Sequence, residues 1–153
     1  MKWKQPDDIK IYEALGAVAD GRIQVEGNTA KVYSSTGNKY YDVEYNPDLN
    51  AIMANDNGSY WKGYLGYPSI CLLLVLDVLP YQEAIGNLLK GVAWKDINTK
   101  FKNDFERTQA FVRKDLGPAD IQQLDVYVAD LQKRIKSLGL HMLGPKTTPP
   151  EGY

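Results

Sequence analysis

Between Arg22 and Ala54 apolar residues recur at alternate positions, and a turn signal closes each run. No other feature constrains the fold as strongly, because a period of two lays side chains alternately on the two faces of a sheet. Ile23 and Val25 alternate with Arg22, Gln24 and Glu26, and Gly27-Asn28 follows. Ala30, Val32 and Ser34 alternate with Lys31 and Tyr33 before Gly37-Asn38. Tyr41, Val43 and Tyr45 alternate with Tyr40, Asp42 and Glu44 before Asn46-Pro47-Asp48, and residues 51–54 supply a short fourth run. Glycine and asparagine accept the positive φ that tight hairpins need. Residues 22–54 are therefore predicted to form an antiparallel meander of three or four strands, with Ile23, Val25, Val32, Val43 and Ile52 on its inner face.

Helical spacing flanks the meander. Pro6-Asp7-Asp8 opens a helix whose apolar face carries Ile11, Leu15 and Val18, and Asp20-Gly21 ends it. Pro68-Ser69 leads into an apolar run from Ile70 to Leu79, read as a buried helix with a buried strand as its rival. A short helix over 81–90 ends at Gly91. A single longer one is expected over 96–116, with Ile97, Phe101, Phe105, Thr108 and Val112 on one face. After Gly117-Pro118, Ile121, Leu124, Val128, Leu131, Ile135 and Leu138 form an unbroken seam at heptad spacing. Folding back onto Ile97, Phe101 and Phe105 as a helical hairpin would cover it, and a homodimer through the 119–138 helix is the second way. The fold class is α+β: an N-terminal helix, the meander, and a helical C-terminal half. One domain is expected over 1–143, comprising the meander and helix of 22–79 and the helical part of 81–139. Residues 144–153, with His141 just ahead of them, read as a flexible tail.

At 153 residues, with 44% hydrophobic and 24% charged, the chain has enough apolar material for one core. A net charge of −1 is less basic than a general polyanion binder needs. The single cysteine, Cys71, forms no internal disulfide and fits a reducing, cytoplasmic compartment. The start lacks an apolar signal-peptide core, and the ten-residue run at 70–79 is too short to span a bilayer, so no membrane association is expected.

Residues 55–69, NDNGSYWKGYLGYPS, join the meander to the apolar helix. Together with Val32-Tyr33-Ser34, Tyr41-Asp42-Val43 and the helix from Pro68, this arrangement resembles the SWIM zinc-finger module over about residues 22–79. That family carries Cys-x-Cys and Cys-x-His pairs, and the resemblance implies a role in binding nucleic acid or protein. The ligand positions here fall near Met53, Asn55, Tyr67 and Ser69, none of them cysteine or histidine. Zinc needs about four such ligands, so no metal and no cofactor is expected. Tyr60, Trp61, Tyr64 and Tyr67 would hold the loop by packing instead. Alternatively, they would form an exposed aromatic recognition patch around Lys62.

Familiar catalytic patterns are incomplete. Gly58 and Gly63 have P-loop spacing, but Tyr64-Leu65 stand where the phosphate-binding Lys-Ser/Thr would be. A calcium loop would begin on Met53, which cannot ligate. Cys71 sits in apolar sequence, where a thiol is inert packing. From Lys90 to Lys114 there are seven basic and three acidic residues, a local excess that suits a polyanion-facing helix. Two readings follow. The first is a small non-catalytic interaction protein that binds nucleic acid or a protein partner through Tyr60, Trp61, Lys62, Tyr64, Lys100 and Arg107. The alternative is a small enzyme or small-ligand binder with a pocket between the meander and the 55–69 loop, using Tyr40, Asp42 and Glu44.

Overall fold

The computed structural model describes residues 1–151 and is α+β: an N-terminal helix, a sheet and a helical C-terminal half. Helix α1 (Asp8–Ala19) has Asp8 in its first turn, where a negative charge complements the partial positive charge of the helix end. Strands β1 (Ile23–Glu26), β2 (Thr29–Tyr33), β3 (Tyr40–Asn46) and β4 (Ala51–Ala54) pair antiparallel in sequence order. The register places Val32 opposite Tyr41 and Val43 opposite Ala54.

A fifth strand, β5 (His141–Met142), adds parallel to β4. Its two residues are too few to show a period, and backbone pairing alone defines it. Trp3 N–H donates to Leu140 O at 3.0 Å, Met142 N–H to Met1 O at 2.8 Å and Leu143 N–H to Ile52 O at 3.1 Å. The segment around His141 is therefore a sheet strand tied to the N-terminus. Beyond it Lys146 Nζ reaches Tyr60 O at 3.2 Å. The last two residues of the expected tail, 152 and 153, lie outside the described residues.

Helix α2 (Tyr67–Val75) lies on the inner face of the sheet, chiefly over β3, and buries Ile70 through Leu74. Val32, Val43 and Ile52 meet it from below. Ile23 is only half-buried and Val25 is 39% exposed, because β1 is the edge strand that α2 covers least. Helix α1 packs on α2 and is enclosed in turn by α3 (Glu83–Gly86), the 3₁₀ turn Asn87–Leu89, α5 (Phe105–Arg113) and α6 (Pro118–Leu138). The α6 seam buries Leu124, Val128, Leu131 and Ile135, and α6 packs chiefly on α1 and α3 rather than on α4 and α5. Among the described residues no helix is long and apolar enough to cross a membrane.

The helix expected over 96–116 is two helices, α4 (Trp94–Lys100) and α5. Lys102 and Asn103 adopt φ of 52° and 61°, and the Asp104 carboxylate accepts from Arg107 N–H at 3.3 Å to cap the second helix. Asparagine tolerates the left-handed region and aspartate is a strong N-cap. That local chemistry overrides the apolar periodicity running through it. Likewise, the segment over 81–90 is α3 followed by the 3₁₀ turn rather than one helix.

Candidate functional site

Helix α1 carries Lys10 and Glu13 at i and i+3, on one face. Most of the helix surface is enclosed, so both charges go inside: their side chains are 13% and 5% exposed. Lys10 Nζ lies 3.3 Å from Glu13 Oε1 and 3.5 Å from Oε2. Asn98 of α4 donates Nδ2–H to the same Oε1 at 3.1 Å. The ring of Phe105 sits 4.4 Å from the ammonium. Burial by itself would lower the Lys10 pKa, but Glu13, aided by Tyr64 and Asp56, outweighs it and holds the pKa above its ordinary value. Lys10 is thus a fixed positive charge, not a free amine.

Asp56 stands beside this pair. A π-helical turn, Gly58–Lys62, starts just after it and brings Ser59 back onto the carboxylate, with Oγ at 2.5 Å and N–H at 3.2 Å. Gly66 allows the carboxylate to approach, since a Cβ there would lie 2.1 Å from Asp56 Oδ2. The 55–66 loop is tied down from outside by Lys4, whose N–H donates to Gly63 O at 2.9 Å and whose carbonyl accepts from Leu65 N–H at 3.0 Å. Burial raises the Asp56 pKa, and the Ser59 bonds only partly oppose it. The folded protein therefore keeps this proton at pH values where the unfolded chain has lost it. Stability should fall as pH rises from the ordinary aspartate pKa through the raised one. Asp56→Asn should flatten that slope in urea unfolding as pH rises above the ordinary aspartate pKa. An unchanged slope in the variant would refute the assignment.

These groups form the base of a cleft of about 960 Å³. Ser34, Ser35 and Tyr41 from the meander line one wall, and Trp94, Lys95 and Asn98 from α4 another. The loop contributes Trp61, Lys62 and Tyr64, and the α4–α5 junction contributes Lys102 and Asn103. Tyr67 closes the interior, edge-on to Tyr41 with centroids 6.0 Å apart. Burial raises the phenol pKa values of Tyr64 and Tyr67, so both stay protonated. Trp61 is 70% exposed and lies edge-to-face with Tyr60 at 4.7 Å. The loop thus serves both expected ends: Tyr64 and Tyr67 pack, and Trp61 faces solvent. The expected zinc-ligand positions are occupied otherwise. Asn55 Oδ1 accepts from Asp42 N–H at 2.8 Å, and Met53 and Ser69 are buried.

The six expected binding residues divide. Trp61, Lys62 and Tyr64 line the cleft, whereas Tyr60 does not. Lys100 and Arg107 belong to a separate exposed cluster. There Lys100 lies 4.8 Å from the Phe111 ring, Arg107 4.8 Å from Phe101, and Lys114 3.9 Å from Phe111. Tyr40, Asp42 and Glu44 do not line the cleft either. Asp42 and Glu44 face a groove on the outer side of the sheet, opposite Lys31 and Thr29 in the register, and Tyr40 packs on Tyr33 at 5.6 Å. Period two had to put them there, because their neighbours Tyr41 and Val43 point inward. Cys71 is buried with Sγ 3.5 Å from Ala14 O, and burial pushes its thiol pKa up, so it is not activated. Among the described residues no three His, Cys, Asp or Glu side chains group to hold a metal ion.

Lys10, Glu13 and Asn98 are site residues that the sequence reasoning missed. A signal for the first two was present: α1 has few polar positions, and most of its remaining residues are apolar or small. A helix of that kind is enclosed, and its rare charges must pair inside. A sequence-family comparison matches residues 3–141, which includes every wall of the cleft. The chain belongs to the family described as Uncharacterised conserved protein UCP014422. No curated protein and no solved structure matches it.

Proposed function

We propose that the protein binds a small polar ligand in the cleft between α1, the 56–64 loop and α4. The observation that carries this is the buried Lys10–Glu13 pair with Asp56 at the base of an open, aromatic-walled cavity. Burying such charges is costly unless they serve a site or are fully paired. Binding fits better than covalent catalysis, since Lys10 is held charged, Tyr64 and Tyr67 are held as phenols, and Cys71 is remote in function from the cleft. Protein-observed NMR with a set of small polar fragments tests it. Amide shifts should cluster in α1, 56–64 and 94–103, and Trp61→Ala should weaken them. Shifts confined to the outer sheet face or to α5 would overturn it.

A second reading has its own observation. The stacked cations Lys100, Arg107 and Lys114 on Phe101 and Phe111 form a basic aromatic surface suited to nucleic acid or an acidic protein partner. The SWIM-type resemblance belongs with this reading. Absence of nucleic-acid binding at low salt, or binding that ignores salt, would eliminate its polyanion form. A homodimer through residues 119–138 would have to use the exposed side of α6 around Val126, because the seam itself is buried. A cytoplasmic location accords with the unpaired, buried Cys71.

A further inference from the structure

Taking the cleft as the binding site, we infer that its ligand is a small organic anion with a planar ring bearing an N–H donor, the chemistry of a nucleoside monophosphate. Three observations converge. The first is charge. Inside the cleft the ions are already matched: Lys10 with Glu13, and Arg22 with Asp20 at 3.3 Å and with Tyr33 O at 2.6 Å. Asp56 is held by Ser59. At the rim, Lys62 and Lys102 are exposed, and among the described residues neither has an ion-pair partner. Over the whole lining, five basic side chains (Lys10, Arg22, Lys62, Lys95 and Lys102) face three acidic ones (Asp7, Glu13 and Asp56). An entering anion is favoured there, and a cation is not.

The second observation is the ring surface. Trp61 leaves most of its indole in water at the same rim as Lys62. An exposed tryptophan beside lysines can stack a heterocycle while the lysines hold its phosphate. The third is an unmatched acceptor. Asn98 donates Nδ2–H to Glu13, which fixes which end of the amide is oxygen. Asn98 Oδ1 is then buried with no donor, although Asn98 lines the cleft. A buried acceptor left so is destabilising. That oxygen is closed to solvent in this conformation, so a ring N–H reaches it only after the side chains around Asn98 part. The α4–α5 break agrees with this arrangement. Lys102 and Asn103, at the turn between the two helices, both line the cleft.

Titration calorimetry with the four ribonucleoside 5′-monophosphates, their nucleosides and inorganic phosphate tests the inference. At least one monophosphate should bind about tenfold or more tighter than its nucleoside, the equivalent of one lost charge contact. Inorganic phosphate alone should not compete at the same concentration. Lys62→Gln and Lys102→Gln should each weaken the monophosphate several-fold without changing nucleoside affinity. Trp61→Ala should weaken both and leave the melting temperature unchanged, since that side chain is largely solvated. Equal affinity for nucleoside and monophosphate, or indifference to both lysine substitutions, would overturn the assignment. Neutral indole, followed by NMR, separates the two levels. If indole perturbs the cleft amides while no monophosphate binds, the ligand class is wrong and the cleft reading stands. If neither enters, both fall.

Discussion

Lys10→Met is expected to destabilise the protein by about 3–5 kcal/mol, because it keeps the volume of the side chain while leaving Glu13 charged, buried and without its cation. Glu13 is 5% exposed, and Asn98 is its other side-chain partner, so water cannot easily replace the ammonium. The double variant Lys10→Met/Glu13→Gln should recover most of the loss, since glutamine still accepts from Asn98 and carries no charge to desolvate. Urea unfolding of the wild type, both single variants and the double variant closes the cycle. A single-variant loss under about 1 kcal/mol would mean that Glu13 is solvated, in the range of surface pairs, and that the pair is no buried site. The pH dependence has a defined sign. The Lys10 pKa is raised in the folded state, so its contribution is complete below the ordinary lysine pKa. It is lost as pH rises through the higher folded value, and Lys10→Met should lack this alkaline loss.

Gly66→Ala is expected to be the second severe change, at about 3 kcal/mol or more. The added Cβ would meet Asp56 Oδ2 at 2.1 Å and Cγ at 2.6 Å. The aspartate is short, buried and held by Ser59, so it cannot swing aside as a long surface side chain would. Movement must instead come from the loop or from the start of α2, whose N-cap is Gly66. Gly117→Ala is the matched control, because nothing lies within 4 Å of a Cβ there and Gly117 is likewise an N-cap, of α6. Thermal unfolding should show a large loss for the first and little for the second. Comparable losses would mean that N-cap propensity, and not contact with the carboxylate, explains glycine at 66.

Where a segment's own period decided its surroundings, the sequence was a reliable guide. Val32, Val43 and Ile52 point inward because alternation leaves a strand only two faces, and the turns at Gly27-Asn28 and Gly37-Asn38 set where each strand stops. The seam from Leu124 to Ile135 is buried for the same kind of reason at helical spacing. Prediction failed where local chemistry competed with period. At Asn103-Asp104 a left-handed asparagine and a capping aspartate divided a helix whose apolar positions ran straight through them.

The cleft was the least legible part, and the cause is physical. Lys10, Glu13, Asp56 and Asn98 come from α1, a loop and α4, with up to 85 residues between hydrogen-bonded partners. Nothing in a one-dimensional pattern records that separation. Tyr40, Asp42 and Glu44 alternate along one strand, and that same period of two set them on the outer face of the sheet. The alternating strands, the helical stripes and the lack of a zinc ligand set followed from the order of residues alone. That Lys10 and Glu13 would be enclosed was legible in the apolar surroundings of α1, but which residues of other elements they would meet was decided only when α1 was surrounded on nearly every side. Hydrophobic packing acts on surfaces and not on sequence neighbours, and it drew a lysine, a glutamate and an asparagine to one place because their helices had nowhere else to bury their apolar sides.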